Sequence, residues 1–189
     1  SMQFNLPDEV KKILSDFKKN KYEIYVVGGA VRDLLMGKIV YDWDFTTNAK
    51  PEELKNLFPD SFYNNSFGTV GVKFQDLILE VTTHRKESDY SDSRHPDKIE
   101  WADTVEEDLA RRDFTINAIA LHYVQGKPVL IDPYDGRRHL KQKLIVAVGN
   151  PDNRFAEDAL RMMRAVRLTS ELGFLLEEKT RESIRTNAT

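Results

Sequence analysis

The sequence has 189 residues, 40% of them hydrophobic, enough for one good core or for one core with a small helical appendage. It holds no cysteine, which excludes disulfides, thiolate zinc sites and thiol nucleophiles, so any metal must bind oxygen or imidazole. A formal net charge of −3 argues against a uniformly basic nucleic-acid coat but leaves room for a local basic cleft.

Val10, Ile13, Leu14 and Phe17 recur at helical spacing and predict a surface helix over 7–19. Residues 22–27 read as a strand, Gly28-Gly29 as a tight turn, and 30–36 as a helix ended by Gly37. Residues 41–46 alternate acidic with apolar, as a strand with one polar face does. Pro51 fits the first turn of a helix reaching Phe58, where its missing N–H is no loss. Residues 70–74 and 77–82 predict a hairpin turning near Gln75-Asp76. From 85 to 100 the chain is polar, charged and carries Pro96 without a period, a long loop of the kind that tends to be functional.

Residues 104–112 predict a helix, 116–123 and 129–131 strands, and 133–136 a turn. A last strand is expected at 144–148, then a helix over 155–172 and another starting near Glu177. Strands and helices mingle without a regular βαβ repeat. The expectation is an α+β fold with a mixed sheet, flanking helices and a helical C-terminal segment. No apolar run reaches the length of a membrane span and no leader pattern opens the chain, so a soluble, cytoplasmic protein is expected.

The strongest constellation is Gly28-Gly29, then Arg32, then Asp42-Trp43-Asp44. Aspartates separated by one residue on a strand project from the same face, where a hard cation such as Mg²⁺ relieves their repulsion and keeps positions open for phosphate oxygens. A glycine turn opening a helix lets backbone N–H groups approach an anion, and Arg32 one turn in adds a charge-assisted contact. Taken singly, each element is an ordinary turn or a solvated strand face. Their order makes a triphosphate seat beside a metal seat.

Basic clusters lie at Arg111-Arg112, at Arg137-Arg138 with Lys141 and Lys143, and at Arg161, Arg164 and Arg167; on charge alone each is a solvated face. Asp158, Arg161, Arg164 and Arg167 recur every third position, which on one helix makes a slowly winding stripe about 14 Å long at about 1.5 Å per residue. A carboxylate only accepts hydrogen bonds and a guanidinium only donates them. Asp158 therefore suits the exocyclic amine of cytosine or adenine, and Arg161 the neighbouring ring acceptor. The competing expectation buries Phe155, Ala159, Met162 and Val166 and leaves the arginines in water. The four histidines show no metal-ligand spacing.

The run from Gly28 to Asp33 with Asp42-Trp43-Asp44 resembles the signature of the polymerase-β-type nucleotidyltransferase superfamily, in the class of tRNA nucleotidyltransferases and bacterial poly(A) polymerases. Residues 107–118, Asp132-Pro133-Tyr134-Asp135-Gly136 and 154–161 resemble its later motifs, so the likeness runs from Tyr22 to about Phe174. Asp135, His139 and Val146 depart from it. The resemblance implies a polymerase-β-like head over 1–150 and the start of a helical neck over 151–189. It implies addition of CMP and AMP from CTP and ATP to the 3′ end of tRNA, with Asp42 and Asp44 as catalytic ligands of two Mg²⁺ ions. Gly29, Arg32, Arg112, Arg164 and Arg167 become phosphate and ribose contacts, while Asp158 and Arg161 select the base. Glu80 is either a third carboxylate or a solvent-facing strand residue. The 67–72 segment is more like the tRNA enzymes than poly(A) polymerases, and the 85–100 loop fills the place of one tied to A addition. Poly(A) synthesis, partial CCA addition and a silent RNA-binding relative are the alternatives.

Overall fold

A computed structural model of the chain describes residues 2–58, 62–64, 68–74, 76–86 and 99–188. Amphipathic spacing carries its first helix: α1 (Asp8–Lys19) buries Val10, Ile13, Leu14 and Phe17, with acids in its first turn and lysines in its last, as the helix dipole favours. There follow β1 (Ile24–Val27), α2 (Gly29–Leu35), β2 (Asp42–Thr47), α3 (Pro51–Leu57), β3 (Phe62–Asn64), β4 (Thr69–Phe74) and β5 (Leu77–Thr83). Beyond the long loop come α4 (Val105–Ala110), a 3₁₀ turn (Thr115–Asn117), β6 (Ala120–Val124), β7 (Lys127–Ile131) and α5 (Gly136–Gln142). The chain closes with β8 (Leu144–Ile145), α6 (Pro151–Glu157), α7 (Leu160–Leu172), β9 (Leu175–Leu176) and α8 (Glu178–Asn187).

Seven strands form one sheet in the order β3-β4-β5-β2-β1-β6-β7. Among the described residues only β2 and β5 pair in parallel within it, so the sheet is mixed, as the sequence implied. Register divides its faces. Val26 lies opposite Phe45 and Leu121, Trp43 opposite Leu79 and Val81 opposite Val70, and this face is buried in one cluster with residues of α1, α2 and α3. The other face carries Tyr25 and Val27 of β1, Asp42, Asp44 and Thr46 of β2, and Glu80 and Thr82 of β5. There α4 covers Tyr25, Val27 and Ala120 through Val105 and Leu109. Asp42, Asp44 and Glu80 stay exposed on the part left open.

Four expectations change. The strand expected from 116 starts only at Ala120, because the chain first tightens into the 3₁₀ turn, held by Thr115 N–H on the Val146 carbonyl at 2.9 Å. The 133–136 turn feeds a helix, α5, that the sequence reading lacked. The last strand shrinks to Leu144–Ile145, paired with β9. The helix expected over 155–172 is two helices, because Asp158 adopts an extended conformation (φ −151°, ψ 104°) and its Oδ1 accepts from Leu160 N–H at 2.9 Å. Most of the 85–100 loop, His95 included, lies outside the described residues, as do Phe67 and Gln75; the loop's ends meet at a bridge between Arg85 and Trp101.

A third apolar cluster joins Phe114, Ile116 and Ile145 to Phe155, Ala165, Leu168 and Phe174. The helices after residue 150 therefore share a core with the segment that follows α4.

Candidate active site

The turn between β1 and α2 is shaped by Gly28, whose φ of 70° and ψ of −146° suit glycine alone. A Cβ there would stand 3.6 Å from Arg112 Nη1 and 3.7 Å from Asp44 Oδ2, so the glycine also marks where the Gly-Gly turn, Arg112 and the carboxylate converge. Arg32 folds back over the turn: a Cβ on Gly29 would lie 3.2 Å from its Nη2. The guanidinium is aimed by Asp33 Oδ1 at 3.1 Å and Asn117 Oδ1 at 2.9 Å, the latter offered by the 3₁₀ turn.

Asp42 and Asp44 occupy alternate positions of β2, and β5 in parallel register sets Glu80 beside Asp44 and the exposed aliphatic Ile78 beside Asp42. Desolvation raises the Asp44 carboxyl above its ordinary range, the charges of Glu80 and Asp42 push the same way, and Arg112 opposes them. The excess negative charge is what a cation relieves. Among the described residues no three His, Asp or Glu side chains gather closely enough to hold an ion unaided. The two aspartates thus fit a divalent ion only as an open half-site, with coordination positions left for phosphate oxygens.

Arg112 is set in place by Asp108, a residue to which the sequence reading gave no role. Asp108 is fully buried, accepts from Arg112 Nη2 at 2.7 Å, from Arg111 Nη2 at 3.5 Å and from the Arg85 backbone N–H at 2.9 Å. Burial opposes its ionised form, but the two arginines and these hydrogen bonds win and hold its pKa well below the usual carboxylate range. Burial and the neighbouring Arg112 charge pull Arg111 down to about 10. The i,i+4 spacing of Asp108, on α4, and Arg112, just past its end, was the available signal.

On the same sheet face as the carboxylates, His84 is completely buried, with Nδ1 2.6 Å from Thr46 Oγ1, its ring against Tyr25, and Nε2 without a partner among the described residues. Burial drives its pKa down to about 4.

The C-terminal candidates form a second group docked on residues 111–113. Arg164 Nε reaches Asp113 Oδ2 at 3.0 Å and its Nη2 reaches Asp158 Oδ2 at 3.4 Å. Arg161 turns inward: it is buried, donating to Glu157 Oε2 at 2.9 Å and to the Arg111 carbonyl at 3.2 Å. Arg167 is exposed. The single stripe of four charges is thus corrected, since the chain breaks after its first member and buries the second. The competing pattern fails as well, because Ala165 and Leu168 are buried with Phe155 while Ala159 and Val166 face solvent.

A family profile described as the Poly A polymerase head domain matches residues 24–146, the span that holds the Gly-Gly turn, the carboxylates and Arg112. The chain belongs to this family. Among relatives of the Poly A polymerase head, a CCA-adding enzyme of Geobacillus kaustophilus is 48% identical over 177 residues, covering 93% of this chain and 43% of that protein. The crystal structure of the Bacillus stearothermophilus CCA-adding enzyme in complex with CTP superposes with a TM-score of 0.82 at 41% identity, over 95% of this chain and 43% of that one. A tRNA nucleotidyltransferase complexed with a primer tRNA and an incoming ATP analog superposes at 0.76 with 32% identity, over 93% and 49%. This head-family chain spans about half the length of the relatives it matches. Among its described residues no helix is long and apolar enough to cross a membrane.

Proposed function

We propose that the chain supplies the catalytic head of a cytoplasmic enzyme that adds CMP and AMP from CTP and ATP to the 3′ end of tRNA. The observation that carries this reading is the convergence of Gly28, Asp44 and Arg112 within 3.7 Å of one point, in a chain 48% identical to a CCA-adding enzyme. Divalent metals are general in this class of nucleotidyltransferase, and Mg²⁺ is the ion we assign to Asp42 and Asp44. When bound, such ions lower the pKa of the attacking hydroxyl and neutralise the triphosphate and the pyrophosphate that leaves.

The chain's own residues do the rest. The N–H groups opening α2 and the Arg32 and Arg112 guanidiniums cradle the triphosphate, and Asp108 fixes Arg112 at the angle this requires. Glu80, beside Asp44 in register, accepts or orients the proton of the attacking 3′-hydroxyl. Asp158 and Arg161 choose the base, with Arg164 and Arg167 toward ribose and phosphate. Since Asp158 caps α7 and Arg161 is buried here, base reading requires residues 158–161 to re-form when a nucleotide enters. Residues 1–150 are the head and 151–189 the first part of a helical neck, a division supported by the family match stopping at residue 146.

The deciding experiment incubates the protein at its natural length with tRNA lacking its terminal nucleotides, supplies each NTP separately, and sequences the product ends. CC followed by A is expected. Long A tracts would establish poly(A) synthesis instead, and no incorporation with Mg²⁺ present would leave a binding protein.

A further inference from the structure

α5 is short and strongly basic. Arg137, Arg138 and Lys141 are exposed on its seven residues, and Lys143 follows as its C-cap. Arg137 and Arg138 stand in the first turn, where the helix dipole disfavours cations, and Arg137 repels Lys141 across one turn, while Lys141 and Lys143 lie at the end where the dipole favours them. Asp132 is spent on the backbone N–H groups of Gly136 and Arg137, at 2.7 and 3.0 Å, and Asp135 pairs with Arg138 at 3.4 Å. Among the described residues Arg137, Lys141 and Lys143 have no acidic partner, in a chain whose net charge is −3.

α5 holds a fixed position relative to the reaction centre. Gly136 sits so tightly on the 3₁₀ turn that a Cβ would collide with the Thr115 carbonyl oxygen, and His139 Nδ1 is 2.7 Å from Thr115 Oγ1. The same turn presents Asn117 to Arg32 at 2.9 Å. Two short, rigid steps therefore connect α5 to the triphosphate seat. Contacts to a nucleic-acid backbone carry register and orientation rather than sequence, and a cationic face rigidly tied to the catalytic cleft suits that task.

We propose that Arg137, Lys141 and Lys143 form a docking face for the phosphate backbone of the RNA substrate, fixing how its 3′ end approaches Asp42 and Asp44. The proposal rests on the reading of the chain as an RNA nucleotidyltransferase. Phosphate is favoured over an acidic protein because α5 shows no exposed large apolar side chain, and protein interfaces are centred on such anchors.

The test compares the natural-length protein with two triple variants, using tRNA that lacks its 3′-terminal nucleotides. One is Arg137→Gln, Lys141→Gln, Lys143→Gln, and the other Arg137→Lys, Lys141→Arg, Lys143→Arg. Binding is followed by fluorescence anisotropy across a salt series, with kcat and both KM values and the unfolding temperature measured in parallel. The neutral variant should flatten the log Kd against log salt slope by about 2 to 3, at about 0.9 per phosphate contact, and raise KM for tRNA roughly tenfold or more. Its kcat and KM for CTP should not change, and its unfolding temperature should not fall. The charge-preserving variant should match the wild type. An unchanged slope and KM in the neutral variant overturns the proposal, as does equal loss in both variants. Wild-type transfer in the same assay reports separately on the enzymatic reading, so failure of one is not taken for failure of the other.

Discussion

Asp44 shares its end of the cleft with Asp42 and Glu80, and Arg112 is the opposing charge. Removing one negative charge from such a group takes repulsion away, so Asp44→Asn and Asp42→Asn should abolish Mg²⁺-dependent incorporation without lowering the metal-free unfolding temperature. Retained activity in either variant would end the two-metal assignment. His84 gives a pH signature of the opposite origin. Its folded-state pKa is lowered from 6.5 to about 4, so the unfolded chain binds the extra proton first, and stability present above pH 6.5 is lost as pH falls toward 4. The groups facing it are Asp108, Lys50, Glu106 and Arg112. Urea titrations at several pH values should show stability falling by up to about 1.4 kcal/mol per pH unit in that window, and His84→Phe should flatten this dependence. An equal slope in the variant would place the acid sensitivity elsewhere. The residues of this cleft also show what a sequence discloses at this scale. Asp42 and Asp44 were legible because strand alternation puts them on one face. The burial of His84 and Asp108 was not, because it is created where α4 closes over β1 and β2, strands far from it in the chain.

At the scale of elements, the periodic ones were read with nearly the right bounds, as α1, α3 and the β4–β5 pair show. What escaped were elements whose signal is not periodic. α5 carries too few apolar residues to show a face, and the break between α6 and α7 depends on one side chain capping the next helix. Gly136 is the close approach that seats α5, so Gly136→Ala should cost about 1 to 3 kcal/mol, since the atom it meets is backbone and cannot step aside. Thermal unfolding measures this, and a neutral result would mean that α5 shifts freely on the 3₁₀ turn. The break at Asp158 bears on base selection. Asp158→Ala removes the cap of α7 and the proposed acceptor together, so loss of rate alone is ambiguous and the CTP/UTP ratio of kcat/KM is the diagnostic. A site that reads hydrogen bonds rejects a wrong base by leaving polar groups unpaired. Losing one such contact should shrink the preference for CTP by about tenfold, for roughly 1 to 3 kcal/mol. An equal fall for both nucleotides would leave Asp158 as a helix cap and nothing more.

Across the whole molecule, the sheet brings β1, β2 and β5 side by side although they are separated in the chain, and so gathers the Gly-Gly turn, Asp42, Asp44 and Glu80 that the sequence singles out. The boundary near residue 150 was drawn from the same motifs, and the packing there answers to a different rule. Phe114, Ile116 and Ile145 are fully buried, and Phe155, Ala165, Leu168 and Phe174 pack with them from the far side of the boundary. Exposing three such side chains at about 1.5 to 3 kcal/mol each would remove roughly 5 to 9 kcal/mol. That is comparable with the whole stability of an ordinary domain, about 5 to 15 kcal/mol. A head ending at residue 150 should therefore not fold cooperatively, even though it holds every residue assigned to the metal and most of those assigned to the triphosphate. The comparison is between residues 1–150 and 1–189, followed by thermal and urea unfolding through the fluorescence of Trp43, which lies in the main core at 2% exposure. The longer chain should give one sigmoidal transition and the shorter a broad one at much lower denaturant, with poor Mg²⁺-dependent nucleotide binding. If 1–150 unfolds at the same midpoint as 1–189, the third cluster adds no stability, and the neck rests on the head instead of completing its core.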